Sequence, residues 1–167
     1  MIKILQRCII ALALTLTIAL TAALTTNISY AEGTQSLSPD LRSLLNKEMQ
    51  ALQSGMQALI PAYVAGDMVK IAAIAKNMKE SYILKQSITN KQKHELMEKL
   101  PKAFLHLDKQ FHQRAGMLEH VAQERHSELV GFYYGKLLES CVGCHSQHAS
   151  HRFTALKKPA DDHGHHH

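Results

Sequence analysis

Apolar side chains recur every three or four positions in four stretches of the chain, and this spacing is the period of an amphipathic helix. The first stretch begins at Ser38, a good N-cap that is followed by Pro39 at the first helical position. The second follows the pair Gly66–Asp67, and the fourth begins near Ser127. The predicted buried stripe of the first helix consists of Leu41, Leu45, Met49, Leu52, Met56 and Leu59.

The third stretch contains a proline near its start. Its apolar positions run from Leu100 to Leu118, and Pro101 either kinks the helix or marks a restart after a short lead-in helix. No segment shows sustained alternation of apolar and polar residues, so the sequence predicts no strands. Four amphipathic helices with short connections predict an all-α fold, an antiparallel up-and-down four-helix bundle.

The N-terminal segment 1–31 has the features of a secretory signal peptide. Lys3 and Arg7 precede a long apolar run at 8–24, and Ala31 is a small residue that suits a cleavage site. An uncleaved membrane anchor is the alternative, but this run is near the short limit for a membrane span. We therefore predict cleavage, export to the periplasm and no membrane span in the mature chain.

Removal of this segment changes the charge balance. The formal net charge of the whole chain is +5, and without Lys3 and Arg7 the 17 remaining Lys and Arg exceed the 14 Asp and Glu by three. So small an excess does not indicate a nucleic-acid partner. We expect one helical domain at 32–156 and a His-rich, disordered tail at 157–167 that could bind metal ions loosely.

The segment 141–145 reads C-V-G-C-H, which is the attachment signature of c-type haem. Two thiols three positions apart can reach the vinyl groups of one porphyrin, and the next residue can place an imidazole on its iron. On a helix these positions lie on one side. We predict one covalent haem c, with thioethers to Cys141 and Cys144 and His145 as the proximal iron ligand. No acid–base pair suggests a substrate pocket, so we do not predict an enzyme.

Three other uses of the cysteine pair stay open. A thioredoxin-like redox site needs a strand-to-helix context, which this sequence does not suggest. A disulfide within the motif would close only a small loop. A zinc site could use Cys141, Cys144, His148 and His151. Such a zinc site would be part of an alternative function, in which the protein is a non-redox periplasmic helical bundle that binds metal through the Cys pair and His-rich sites.

An exported four-helix chain with one C-x-x-C-H in its last helix resembles the cytochrome c-prime family. The similarity covers about residues 38–153, and its softer points are Arg42, the Gly66–Asp67 turn and the stripe from Phe104 to Phe111. It implies a haem-bearing four-helix bundle in which Arg42 lies near a haem propionate. It also implies a cavity between the first, third and fourth helices, beside Cys144 and His145.

The resemblance further implies either single-electron transfer to a periplasmic redox partner or binding of NO or CO at the iron, and family members often form homodimers. In the family, one residue of the first helix lies over the sixth position of the iron. An apolar residue there leaves the iron open to diatomic gases, whereas a Met makes it six-coordinate. Counting from Arg42 gives Asn46, and counting from the Gly66 turn gives Met49, which is either the sixth ligand or a packing residue.

The sequence departs from the family just after the haem histidine. Members commonly read C-x-x-C-H-x-x-aromatic-Arg. This chain has His148 and Ala149 at the last two of these positions, and its next Arg is Arg152, before Phe153. The basic neighbour that the family places beside the proximal histidine is therefore displaced.

Overall fold

The computed structural model describes residues 32–157, and within this range the chain is helical and contains no strand. The predicted signal peptide lies outside the described residues, as does the tail from residue 158 onward. None of the described helices is long and apolar enough to cross a membrane. The helices are α1 (Glu32–Gln35), α2 (Pro39–Val64), α3 (Met68–Glu80), α4 (Leu84–Ser87), α5 (Asn90–Lys99), α6 (Lys102–Gln123) and α7 (Ser127–His148), followed by a 3-10 turn at Thr154–Leu156.

The starts of the long helices agree with the sequence signals. Asp67 is the N-cap of α3, and its carboxylate accepts a hydrogen bond of 3.0 Å from the backbone N–H of Lys70. Ser38 is the N-cap residue of α2 but makes no capping bond with its side chain. Its backbone N–H and its hydroxyl instead donate to the Glu95 carboxylate at 2.6 and 3.1 Å. The start of α2 is thereby tied to α5.

Pro101 marks a restart and not a kink. The helix α5 ends at Lys99, Leu100 is extended, and Pro101 occupies the N-cap position of α6. A proline disfavours helical backbone in the residue before it, which explains the extended Leu100. The lead-in helix α5 has its own start signal, a reciprocal capping box between Thr89 and Gln92.

The apolar side chains form two clusters. The larger one draws on α2, α3, α6 and α7, so the four long helices share one core. The smaller one joins the start of α2 to α5 and to the start of α6. Its buried members are Leu37, Leu41 and Leu100, with Phe104 among the residues packed against them. The larger cluster contains Met56, Leu59, Ile71, Met78, Phe111, Leu118, Val130 and Leu137, among others.

The predicted stripe of α2 needs one correction. Met49 is 38% exposed, whereas its neighbour Glu48 is only 2% exposed. Glu48 continues the three-to-four spacing from Leu45 to Leu52 as well as Met49 does, so the helix can turn either residue inward. The Glu48 carboxylate can be buried there because its oxygens accept four hydrogen bonds from residues 81–84.

Candidate haem-attachment site

The C-V-G-C-H motif occupies the last two turns of α7, with His148 as the final helical residue. Cys141 and Cys144 are both free thiols and both half-buried. Cys141 packs against the larger apolar cluster. The motif therefore lies at the edge of the core, with thiols that are not used by a disulfide.

The surroundings of the two thiols are poorly solvated. Burial raises the pKa of Cys141. The pKa of Cys144 is raised to about 11, chiefly by burial and further by the negative charge of Asp108 and by its electrostatic coupling to Cys141. Both side chains are neutral thiols near pH 7. Such an apolar environment suits the edge of a porphyrin.

The imidazole of His145 is held in place by an aromatic neighbour. Its ring stacks on Phe153, with centroids 4.2 Å apart and ring planes 5° from parallel. Burial, assisted by the positive charge of Arg152, lowers the pKa of His145. The imidazole is therefore neutral at pH 7, which is the form that binds a metal.

His148 is a buried polar side chain of the site whose hydrogen-bonding groups the described residues do not use. It is only 4% exposed, and among residues 32–157 neither Nδ1 nor Nε2 has a hydrogen-bond partner. Its ring lies edge-on to Phe104 at 5.3 Å between centroids, and burial lowers its pKa. The sequence presents His148 as a possible zinc ligand and as a weak modulator of the haem site. Its burial depends on Phe104, a residue of another helix, and no local signal announces it.

The helix α2 reaches the site through the segment that follows α7. The guanidinium of Arg152 donates to Asn46 Oδ1 at 3.2 Å, which ties this segment to the middle of α2. Arg42 and Met49, the predicted propionate contact and candidate sixth ligand, are both exposed. Their predicted roles toward haem stay predictions.

The helix α6 contributes a hydrogen-bonded pair beside Cys144. His112 is half-buried, with Nδ1 2.8 Å from the carbonyl oxygen of Met78 and Nε2 3.5 Å from Asp108 Oδ1. Burial disfavours the charged ring, but the hydrogen bond and the charge of Asp108 outweigh it and raise the pKa of His112. Asp108 also raises the pKa of Cys144, which links this pair electrostatically to the motif.

Residues 32–157 bring no metal-binding set of side chains together around the cysteines. Among residues 32–157, no three His, Cys, Asp or Glu side chains come close enough together to hold a metal ion. The fourth residue of the conceivable zinc set, His151, is exposed. The thioredoxin-like reading needs a strand before the motif, and the described part of the chain has none.

Two cavities lie away from the motif. Their volumes are about 280 and 250 Å3, and neither is the expected cavity beside Cys144 and His145. The residues of the site nevertheless fit a haem c by their chemistry, since they offer two free thiols, a neutral imidazole and a buried imidazole without a partner in the described part of the chain. The first cavity is lined by Met68, Val69, Ala72, Ala122, Gln123 and Arg125, and the second includes Leu59, Ile60, Tyr63, Val64, Val130 and Tyr134.

Comparison with protein-family models, with curated proteins and with solved structures finds no match for this chain. The resemblance to the cytochrome c-prime family therefore depends on the attachment motif and on the pattern of helices. What the site can do chemically follows from its own residues: it can form two thioether bonds and offer one neutral nitrogen ligand from the same helix.

Proposed function

We propose that this protein is a periplasmic monohaem c-type cytochrome that transfers single electrons or binds NO or CO at the haem iron. The observation that carries the proposal is the placement of Cys141, Cys144 and His145 on one side of α7, with free thiols and a neutral imidazole. We further propose that α2, α3, α6 and α7 form the antiparallel up-and-down four-helix bundle of the cytochrome c-prime type.

Each residue of the motif has a distinct task in this proposal. Cys141 and Cys144 anchor the porphyrin to α7 through thioether bonds, so the cofactor cannot dissociate. His145 presents a ring nitrogen to the iron, and its stack on Phe153 restricts the rotation of the ring. When bound, haem supplies an iron that exchanges one electron or takes up a small gas. The poorly solvated surroundings of Cys144 exclude water from the porphyrin edge.

The choice between electron transfer and gas binding depends on the sixth position. The exposure of Met49 supports an open sixth position, because Met49 would have to turn toward the core to hold an iron there. We therefore favour gas binding within the proposed function. Addition of CO to the ferrous protein tests this choice: an open site shifts the visible spectrum, and a site closed by Met49 leaves a low-spin spectrum unchanged. Met49→Ala would then alter the low-spin spectrum only if Met49 is the ligand.

The proposed function is tested by producing the chain in a host that matures c-type cytochromes. We expect a red protein whose haem stays on the chain in denaturing electrophoresis, and we expect Cys141→Ser or Cys144→Ser to weaken or abolish this attachment. His145→Ala should change the iron coordination, whereas the matched variant His151→Ala alters an exposed histidine and should not. A colourless protein with two titratable thiols would contradict the proposal.

A further inference from the structure

The buried imidazole of His148 has hydrogen-bonding capacity that residues 32–157 do not use. Both ring nitrogens are shielded from solvent and have no partner within this range, whereas the half-buried His112 contacts a backbone carbonyl through one nitrogen and approaches Asp108 with the other. A buried polar atom without a partner is destabilising, and native proteins rarely retain one. The partner of these nitrogens therefore lies outside residues 32–157.

The position of His148 in the helix brings it to the haem-attachment site. It follows Cys144 by four residues and His145 by three, and helical side chains at these spacings are neighbours on one side. Packing against Phe104 alone would be served by a ring without nitrogens. The nitrogens of His148 need a separate explanation.

We propose that His148 donates a hydrogen bond to a propionate carboxylate of the haem; this inference rests on the proposed function. The chemistry of the cofactor leaves few other partners. The pyrrole nitrogens are bound to the iron. His145 would hold the iron from one face of the porphyrin. A residue one turn further along the same side of the same helix does not reach the opposite face. The propionate carboxylates are therefore the hydrogen-bond acceptors of the haem that remain for His148.

The surroundings of His148 support this assignment. Its ring rests on Phe104, which packs against the smaller apolar cluster. Leu41 is a buried member of that cluster, and the next residue, Arg42, is exposed. The first turn of α2, which packs on this cluster, thus carries a cation that would favour an anionic group nearby.

The inference is tested on the haem-loaded protein with two variants. His148→Phe keeps an aromatic ring and His148→Leu keeps a similar volume, so both remove the nitrogens while differing in how they pack. We expect both to shift the propionate bending band in the resonance Raman spectrum and to lower the thermal midpoint by about 4 °C or more. His151→Leu makes the same change at an exposed site and should leave both measurements as in the wild type.

Three results would contradict the inference in different ways. An unchanged propionate band together with an unchanged or higher thermal midpoint in both variants would make His148 a packing residue. A changed spin state with an unchanged propionate band would assign His148 to the iron. A wild-type protein without covalent haem would overturn the proposed function itself, and the inference with it. The first two outcomes require a loaded wild type, so the two failures are distinguishable.

Discussion

The hydrogen bonds of the buried Glu48 carboxylate should contribute strongly to the stability of the fold. Its Oε1 accepts hydrogen bonds from the Ser81 hydroxyl at 2.8 Å and from the Tyr82 N–H at 3.0 Å. Its Oε2 accepts from the backbone N–H groups of Ile83 and Leu84 at 2.6 and 3.1 Å. The side chain therefore fixes the turn that leaves α3 against the middle of α2.

The substitution Glu48→Gln changes the charge and one acceptor while keeping the shape. The amide of Gln retains one oxygen, so two of the four hydrogen bonds survive and two donors lose their acceptor. A hydrogen bond to a charged group contributes about 1.5 kcal/mol or more, so two such losses lower the free energy of unfolding by about 3 kcal/mol. This is a large fraction of the roughly 5–15 kcal/mol that stabilises an ordinary domain.

The assay is urea unfolding of the haem-loaded protein, followed by circular dichroism of the helices. Glu124→Gln is the matched control because that side chain is exposed, and we expect it to change the free energy of unfolding by less than about 0.5 kcal/mol. A Glu48→Gln protein as stable as the control would refute the reasoning, since it would mean that the four hydrogen bonds contribute little.

Two further predictions concern a close helix contact and a thiol. Gly55→Ala should lower the free energy of unfolding by about 1–3 kcal/mol, because the added Cβ would lie 2.5 Å from Tyr82 Oη and 2.8 Å from Met78 Cε. Gly135→Ala is the control: its added Cβ would meet open space, so it should not destabilise the protein. Equal urea midpoints for the two variants would contradict this prediction. In protein made without haem attachment, alkylation of Cys144 by iodoacetamide should be slow at pH 8, because the raised pKa of this thiol disfavours the thiolate. The alkylation rate should increase with pH up to about pH 11. A rate that levels off near pH 9 would contradict the burial of this thiol.

The sequence predicts the long helices well because their signals are local. The caps at Ser38 and Asp67, the start near Ser127 and the stripe period all depend on residues a few positions apart. The restart at Pro101 is one of two outcomes that a proline permits, and the structure decides between them by placing Leu100 in the smaller apolar cluster.

The features that the sequence does not reveal depend on residues distant in the chain. Glu48 is buried because residues 81–84 supply four donors, and no pattern within α2 indicates them. A rule that places apolar residues inside therefore selects Met49 in its place. His148 is likewise buried by Phe104 of α6. The motif at 141–145 is recognisable from spacing alone, whereas its electrostatic surroundings, such as Asp108, follow from the packing of α6 on α7.

The central claim is that one haem is covalently attached through the two cysteines of α7. Mass spectrometry of the proteolytic peptide that contains residues 141–145, from protein matured in a cytochrome-competent host, tests this claim most directly. The account predicts a peptide heavier by the mass of one haem, with neither Cys141 nor Cys144 available to an alkylating reagent. A peptide of unmodified mass in which both thiols are alkylated would contradict it.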